Sequence, residues 1–361
     1  LFVTFVAIYF TKKMENKKSK KFRWAAIVCA LVLIGLTYYY FFSAFSAKDK
    51  VEYVYIDKDD NVDSVYQKLK PIATEHGMAG LKTLIRHSSY DKNIRTGRYQ
   101  IKPSSMIFKV FRDIKNGQQT PVSLVIPSVR TVEKLSAELS KHLMIDSTEI
   151  INALKNEALC RKFGYDTTTI ACIFIPNTYN VYWNVSAEKF LERMDSESKT
   201  FWNETRKQKA KKLNLTPNEV IILASIVEEE TANTKEKPMV AGMYYKRLTM
   251  RTAQYPNGMP LQADPTIKFA WKKFELKRIY NNHLAIESPY NTYRNTGLPP
   301  GPIRIPSIEG IDAVLNLVHH NYIYMCAKED FSGTHNFAET YEEHLQNAAK
   351  YTNALNKRGI K

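Results

Sequence analysis

A run of residues without any charge, from Trp24 to Phe45, is the strongest constraint that this sequence sets on its fold. A helix needs about 20 apolar residues to cross a lipid bilayer, so the run is long enough. Its far end is rich in tyrosine and phenylalanine, which gather at the boundary between membrane and water. The residues before it carry seven basic side chains and one acidic side chain, Glu15. Because basic flanks stay in the cytoplasm, we predict a cytoplasmic tail at 1–23, one transmembrane helix at 24–45 and an external remainder.

A cleaved signal peptide is the alternative for the same segment. Its apolar region would be only about 7–15 residues long and would end in a small-residue cleavage site. The run at 24–45 is longer, and Ala44-Phe45-Ser46 is a weak match to such a site. We therefore expect an uncleaved, single-pass membrane anchor, with the larger part of the chain outside the cytoplasm. Met14 stands before ENKKSKKF, which is typical of a natural start, so residues 1–13 are expected to be an upstream extension.

The chain is strongly basic, with a formal net charge of +16. The tail through Arg23 contributes seven positive charges and one negative charge, or +6, which leaves about +10 for the rest. Such an excess attracts an anionic membrane surface or an anionic polymer, whereas no nucleic-acid-binding motif is present. The four cysteines include no CxxC pair, so we expect no zinc site, and no other metal or cofactor. Cys160 and Cys172 could form a disulfide in an oxidising compartment, and buried free thiols are an equally good alternative.

Two regions with different patterns follow the apolar segment, and together they predict an α+β protein. Residues 51–118 are predicted to form a small α+β unit in the order strand, helix, helix, strand, helix, with strands at 51–56 and 97–101 and helices near 62–76, 79–87 and 105–117. A strand at 121–127 then leads into a larger, mainly helical region with short strands. Capping boxes at Asp146 and Thr340 indicate two of its helix starts.

The most informative stretch is a single helix in the larger region. Thr216 is a good N-cap, Pro217 suits the first helical position, and Glu219 completes a capping box. Residues 220–227 are apolar with almost no polar break, and a helix that is apolar all round is a buried one. The sequence therefore predicts a buried helix from which three consecutive glutamates, 228–230, emerge.

Helical spacing places the three glutamates on different faces. Glu228 and Glu230 continue apolar lines of the helix, whereas Glu229 follows Ser225, so we expect Glu229 to face water. A carboxylate among apolar neighbours has its charged form disfavoured, which raises its pKa, and a second carboxylate nearby has the same effect. Such a glutamate can donate a proton near neutral pH. The alternative is a solvated helix end, which is the usual place for a run of glutamates.

The segment LASIVEEET at 223–231 resembles the ASIVEKET-type signature of the endolytic murein transglycosylases, the MltG or YceG-like family. Further segments resemble motifs of that family in the family's order: Arg247-Leu248, MPLQADPT at 259–266, SPYNTY at 288–293, GLPPGPI at 297–303, GTHNF at 333–337 and Glu343-His344. Several motifs in one order make the resemblance specific, and it covers about residues 50–361. There are two departures: Glu229 stands where the family has a lysine, and ACIFIPNTY at 171–179 differs from the family's EG-x-x-FPDTY segment.

The resemblance implies a layout and a reaction. The layout is one anchor in the inner (cytoplasmic) membrane, followed in the periplasm by a small LysM-like domain at 51–118 and a catalytic domain at 119–361. The reaction cuts the β-1,4 bond between N-acetylmuramic acid and N-acetylglucosamine within peptidoglycan glycan strands, and thereby limits strand length. The C6 hydroxyl of the muramic residue attacks its own anomeric carbon and leaves a 1,6-anhydro end, so one carboxyl group can act first as acid and then as base. We predict that Glu228 is this acid/base, and peptidoglycan synthases are candidate partners.

Eight further residues are predicted to bind the glycan substrate: Glu230, Gln262, Asp264, Tyr290, Asn291, Thr292, Tyr293 and His335. Several of them have a structural alternative. Asp264 stands before a proline and is a natural helix cap, which is the role that we favour. The segment 290–293 could be a buried loop with satisfied polar groups, and a lone histidine such as His335 is more often structural. A non-catalytic wall-binding scaffold and a hydrolase of the same bond are the alternative functions.

Overall fold

The computed structural model describes residues 20–358, and the described chain divides into two compact units between Pro121 and Val122. The first helix, α1 (Lys20–Phe42), contains a stretch from Phe22 to Phe42 with a mean hydropathy of 2.1. By length and composition this stretch can cross a membrane, which is consistent with a single-pass anchor. Residues 1–13 and most of the predicted tail at 1–23 lie outside the described residues.

The helix ends before the end of the predicted membrane segment 24–45. Phe45 is fully buried in the core of the first unit. Its N–H donates to the carbonyl of Ser105 at 2.8 Å, and its own carbonyl accepts the N–H of Thr74 at 2.9 Å. Because these bonds and this burial hold Phe45 inside a folded unit, it belongs to that unit, and α1 ends at Phe42.

The first unit beyond α1 has the element order that the sequence predicts. Its elements are β1 (Glu52–Ile56), α2 (Val62–Leu69), α3 (Glu75–Arg86), a short 3-10 helix (Tyr90–Lys92), β2 (Gly97–Ile101) and α4 (Ile107–Asn116). β1 and β2 pair antiparallel, with Glu52 opposite Ile101. The first predicted helix is too long: α2 stops at Leu69, with Lys70 as its C-cap, because Pro71 has no backbone N–H to donate the next helical hydrogen bond. Thr74 then caps α3.

The second unit is mainly helical with short strands. Its elements are β3 (Val122–Val125), α5 (Val132–Ser140), α6 (Ser147–Lys155), α7 (Glu157–Lys162), a 3-10 helix (Ile170–Ile173), β4 (Thr178–Val181), α8 (Ala187–Phe201), α9 (Glu204–Lys212), α10 (Pro217–Glu230), α11 (Lys237–Thr249), α12 (Asp264–Trp271), α13 (Asn281–Leu284), α14 (Ile308–Leu315), β5 (Tyr324–Ala327), β6 (His335–Ala338) and α15 (Tyr341–Lys357). Its strands form antiparallel pairs, β3 with β4 and β5 with β6. The capping boxes predicted at Asp146, Thr216 and Thr340 are all present.

Helix α10 lies in the core of the second unit. Every residue from Val220 to Val227 is buried, which confirms the prediction of a buried helix. Even Ser225 is enclosed: its hydroxyl donates to the carbonyl of Ile222 at 2.7 Å and accepts the N–H of Ile303 at 3.0 Å. The last turn of α10 therefore carries the three glutamates directly out of a packed core. Cys160 and Cys172 are both buried free thiols.

Candidate active site

The first of the three glutamates, Glu228, is held by two donors. Its Oε2 atom accepts the ammonium of Lys237 at 2.7 Å and the hydroxyl of Ser307 at 2.9 Å. The Lys237 side chain is only 4% exposed, so Glu228 is the counter-charge of a buried cation. Ser307 is in turn the N-cap of α14, and Gly310 in the first turn approaches Oε2 so closely that a side chain there would collide with it. Glu228 thus connects α10 to the starts of α11 and α14.

The second glutamate, Glu229, does not face water as expected. Its side chain is 8% exposed and lies between two arginines. Arg130 donates through Nε to both carboxylate oxygens at 2.8 and 3.0 Å, and Arg304 donates through Nη1 at 2.9 Å. The expectation failed because Ser225, the polar residue one turn earlier, is itself enclosed by Ile303. Two cations therefore surround the negative charge that replaces the family's lysine.

The third glutamate, Glu230, has a different environment. Its Oε1 atom accepts the hydroxyl of Tyr244 at 2.7 Å, and within the described residues it makes no ion pair. Burial raises the pKa of Glu230 to about 7, and the nearby carboxylate of Asp264 adds to that rise, although the Tyr244 hydrogen bond opposes it. The carboxyl of Glu230 can therefore hold a proton near neutral pH.

Glu230 lines a cavity with a volume of about 290 Å³. The other residues that line this cavity are Met243, Tyr244, Arg247, Gln262, Asp264, Tyr293, Tyr324, Met325, Tyr341 and His344. The cavity is polar and aromatic, and its members come from α10, α11, α12, β5 and α15 and from the loops around residues 262 and 293. Glu228 and Glu229 are not among them. Within residues 20–358, no cluster of three or more histidine, cysteine or acidic side chains could hold a metal ion.

Several hydrogen bonds make the cavity wall rigid. Arg247 is buried and donates through Nε to the carbonyl of Ile323 and through Nη1 to that of Leu261, each at 2.5 Å. Burial lowers the pKa of Arg247, although not enough to discharge a guanidinium. Elsewhere in the cavity wall, the hydroxyl of Tyr293 donates to the carboxylate of Asp264 at 2.6 Å. The cavity therefore contains one fixed cation and two acidic side chains.

Asp264 does not have the capping role that we favoured for it. The N-cap of α12 is Ala263, and Asp264 is the first helical residue, with its side chain turned to the cavity and to Tyr293. Gln262 also reaches the cavity, from a left-handed backbone conformation with φ of 51° that few residues other than glycine adopt. Four predicted substrate residues thus meet in one cavity: Glu230, Gln262, Asp264 and Tyr293.

The other four predicted substrate residues lie outside this cavity. Asn291 is fully buried and donates to the carbonyls of Leu284 and Ile286. Thr292 accepts the N–H of Ala263 and exchanges a hydrogen bond with Thr266, and Tyr290 packs on Phe269 with ring centroids 4.8 Å apart. His335 bonds Glu236 through both its backbone N–H, at 2.6 Å, and its Nδ1 atom, at 3.0 Å. These four residues build the loops that support the cavity.

Sequence reasoning missed several residues of the cavity. Arg247 and His344 stand in two of the motifs that carry the family resemblance, so each could have been proposed from that signal. Tyr244 and Tyr324 belong to no such motif, and their positions depend on how α11 and β5 pack in the second unit. A carboxyl with a raised pKa in a polar, aromatic cavity is typical of enzymes that use acid/base catalysis on polar substrates.

Comparison with known protein families shows the family to which this chain belongs. The profile of the YceG-like family matches residues 54–350, and the chain belongs to that family. A Bacillus subtilis protein named endolytic murein transglycosylase is 33% identical over 175 residues, which cover 48% of this chain and 46% of that protein. A Streptococcus pneumoniae protein of the same name is 26% identical over 333 residues, which cover 83% of this chain and 58% of that protein. The chain thus spans about half the length of the curated relatives it matches.

A solved structure has the same fold. The crystal structure of a YceG-like protein from Listeria monocytogenes aligns with a TM-score of 0.52 at 21% sequence identity. The alignment covers 83% of this chain and 99% of that one. The likeness therefore concerns the fold over most of the chain.

Proposed function

We propose that this protein is a lytic transglycosylase that cuts peptidoglycan glycan strands internally, between N-acetylmuramic acid and N-acetylglucosamine, to leave 1,6-anhydro ends. The observation that carries the proposal is the carboxyl group of Glu230, whose pKa burial raises to about 7 inside a polar cavity. The names of the relatives from Bacillus subtilis and Streptococcus pneumoniae support the same reaction class.

We assign the acid/base role to Glu230 in place of Glu228, which was the choice from sequence. A general acid must reach the substrate and must hold its proton at the working pH. Glu228 lies against the ammonium of Lys237 and the hydroxyl of Ser307, and it does not line the cavity. Glu230 lines the cavity and has a tyrosine as its hydrogen-bond donor. With its raised pKa and its place in the cavity, Glu230 therefore meets both requirements of a general acid.

The proposed reaction needs only one carboxyl group. Neutral Glu230 gives its proton to the glycosidic oxygen as the bond to the anomeric carbon breaks. The C6 hydroxyl of the same muramic residue then forms the new bond to that carbon, and the Glu230 carboxylate takes the hydroxyl proton. Tyr244 holds the carboxyl in position through the 2.7 Å bond, and the fixed cation of Arg247 is available for acceptor oxygens of the sugar. Because the nucleophile is internal, no second catalytic carboxylate is required, unlike in hydrolysis.

The proposal also assigns roles to helix α1 and to the rest of the first unit. Helix α1 would anchor the chain in the cytoplasmic membrane with its N-terminus inside, so that both folded units lie outside the cytoplasm. The unit at 51–118 would be a LysM-like glycan-binding module, or a spacer that sets the distance between the membrane and the cavity. In this position the enzyme would work beside peptidoglycan synthases and limit the length of nascent strands.

Product analysis tests the proposal directly. We expect purified sacculi, treated with the full chain in detergent, to release muropeptides with anhydro ends, which are lighter by one water than hydrolysis products. Glu230→Gln should abolish this release while the protein stays folded, and Glu228→Gln should retain activity in the fraction that folds. Products with added water would identify a hydrolase instead, and wild-type protein that releases nothing would favour a non-catalytic scaffold. Activity that survives Glu230→Gln but not Glu228→Gln would return the role to Glu228.

A further inference from the structure

A cluster of three rings lines the cavity and has no part in the chemistry proposed for Glu230. Tyr324 of β5 stacks on His344 of α15, with ring centroids 5.3 Å apart and ring planes at 23°. Tyr341, the first residue of α15, lies 5.8 Å from Tyr324 and 6.2 Å from His344. Tyr341 is 60% exposed. The ring of Tyr341 at the edge of this cluster is therefore open to a ligand.

The imidazole of His344 has one enclosed nitrogen. Its Nδ1 atom is buried and has no hydrogen-bond partner among the described residues. Burial, followed by the nearby charge of Arg247, lowers the pKa of His344, so the ring is neutral at neutral pH. A neutral imidazole carries one N–H, and an enclosed nitrogen without an acceptor is better left as a lone pair than as an unsatisfied donor. The hydrogen therefore belongs on Nε2, the nitrogen that can donate to a ligand.

We propose that Tyr341, Tyr324 and His344 form a subsite that binds an N-acetylated sugar residue adjacent to the bond being cut. The inference rests on the proposed function and identifies where the strand lies. A pyranose ring has an apolar face of C–H groups, which packs on an aromatic ring such as that of Tyr341. Its acetamido carbonyl is an acceptor for the Nε2–H of His344.

The subsite is continuous with the proposed acid. The guanidinium carbon of Arg247 lies 5.6 Å from the centre of the Tyr324 ring. Glu230, Arg247 and His344 all line the same cavity, and the charge of Arg247 lowers the pKa of both Glu230 and His344. A strand that extends from Glu230 along Arg247 would therefore place a neighbouring sugar over the three rings.

Binding of a chitin tetrasaccharide separates this inference from catalysis. The full chain in detergent would carry Glu230→Gln, so that no cleavage interferes, and calorimetry would measure affinity. Loss of one aromatic contact or one hydrogen bond should weaken binding roughly two- to tenfold in Tyr341→Ala and in His344→Ala. Tyr341→Phe, which keeps the ring, should retain most of the affinity. Leu345→Ala is the matched control, because Leu345 is 50% exposed and is next to His344 on the same helix.

The possible results distinguish the two proposals. Tyr341→Ala and His344→Ala variants that bind as tightly as their parent, or a parent that does not bind the tetrasaccharide at all, would overturn the subsite. Either result is compatible with cleavage by the wild-type chain, which would leave the proposed function intact. Conversely, selective loss of binding in these variants supports the subsite even if wild-type protein releases no anhydro products. In kinetic assays the Tyr341 change should act mainly on KM, since it alters binding and not proton transfer.

Discussion

Replacing Glu230 by glutamine should make the folded protein more stable above neutral pH while it abolishes activity. The folded carboxyl keeps its proton up to about pH 7, whereas an ordinary glutamate loses it near 4.5. Between these two values the folded chain binds more protons than the unfolded chain, so a rise in pH across this window lowers the free energy of unfolding. Glutamine does not titrate in this range, so the free energy of unfolding of Glu230→Gln should not fall across this window.

The size of the effect follows from the two pKa values. At about 1.4 kcal/mol per pH unit, the interval from 4.5 to about 7 corresponds to roughly 3 kcal/mol. The side chain is half-buried and reaches solvent through the cavity, so we expect about 1–3 kcal/mol at pH values above 7. The gain should vanish at pH values below the ordinary glutamate pKa, where both states are protonated. Glutamine also keeps an oxygen that can accept the hydroxyl of Tyr244.

Unfolding of the full chain in detergent, followed by tryptophan fluorescence at several pH values, measures this difference. The two neighbouring glutamates provide controls, because the same substitution should lower stability at each of them. Glu228→Gln leaves the 4% exposed Lys237 without its counter-charge and should cost about 2–4 kcal/mol. Glu229→Gln weakens the bonds from Arg130 and Arg304 and should cost about 1–3 kcal/mol. These losses should persist at neutral pH.

The reasoning about Glu230 would be refuted by either of two results. One is a Glu230→Gln variant that is no more stable than wild type at high pH. The other is a gain of constant size at every pH, because a constant gain would mean that no proton is involved. In both cases the carboxyl would be charged in the folded protein, and its role as general acid would lose its physical basis.

Three further predictions concern the cavity and the loops that support it. The rate of anhydro product formation should fall as pH rises through about 7, because the acid form of Glu230 is then lost; a flat profile up to pH values near 9 would contradict this. Tyr244→Phe removes a hydrogen bond that lowers the pKa of Glu230, so the falling limb of the pH profile should move to higher pH, and a shift to lower pH would exclude the assigned role. Asn291→Ala removes two bonds to backbone carbonyls and should lower stability by about 1–3 kcal/mol, as measured by denaturant unfolding, whereas loss of substrate affinity at unchanged stability would return Asn291 to the binding site.

Local patterns predicted much of the secondary structure. The start of α10 followed from Thr216, Pro217 and Glu219, because a capping box satisfies backbone groups within a few residues of one another. Burial of the same helix followed from an unbroken apolar sequence, and the position of α1 followed from an uncharged one, although α1 ends at Phe42 and not at Phe45. The strand at 97–101 was predicted at its observed bounds. All of these features depend on neighbours along the chain.

Such local patterns could not predict the surroundings of Glu228, Glu229 and Glu230. Helical spacing distinguishes their faces, but the partners that separate them come from distant segments: Arg130 is 99 residues before Glu229, and Ser307 is 79 residues after Glu228. The sequence by itself determined that three carboxyl groups leave a buried helix at one point. Only the tertiary structure decided which two of them meet cations and which one meets a cavity, because a carboxyl group's charge state depends on the groups that packing brings around it.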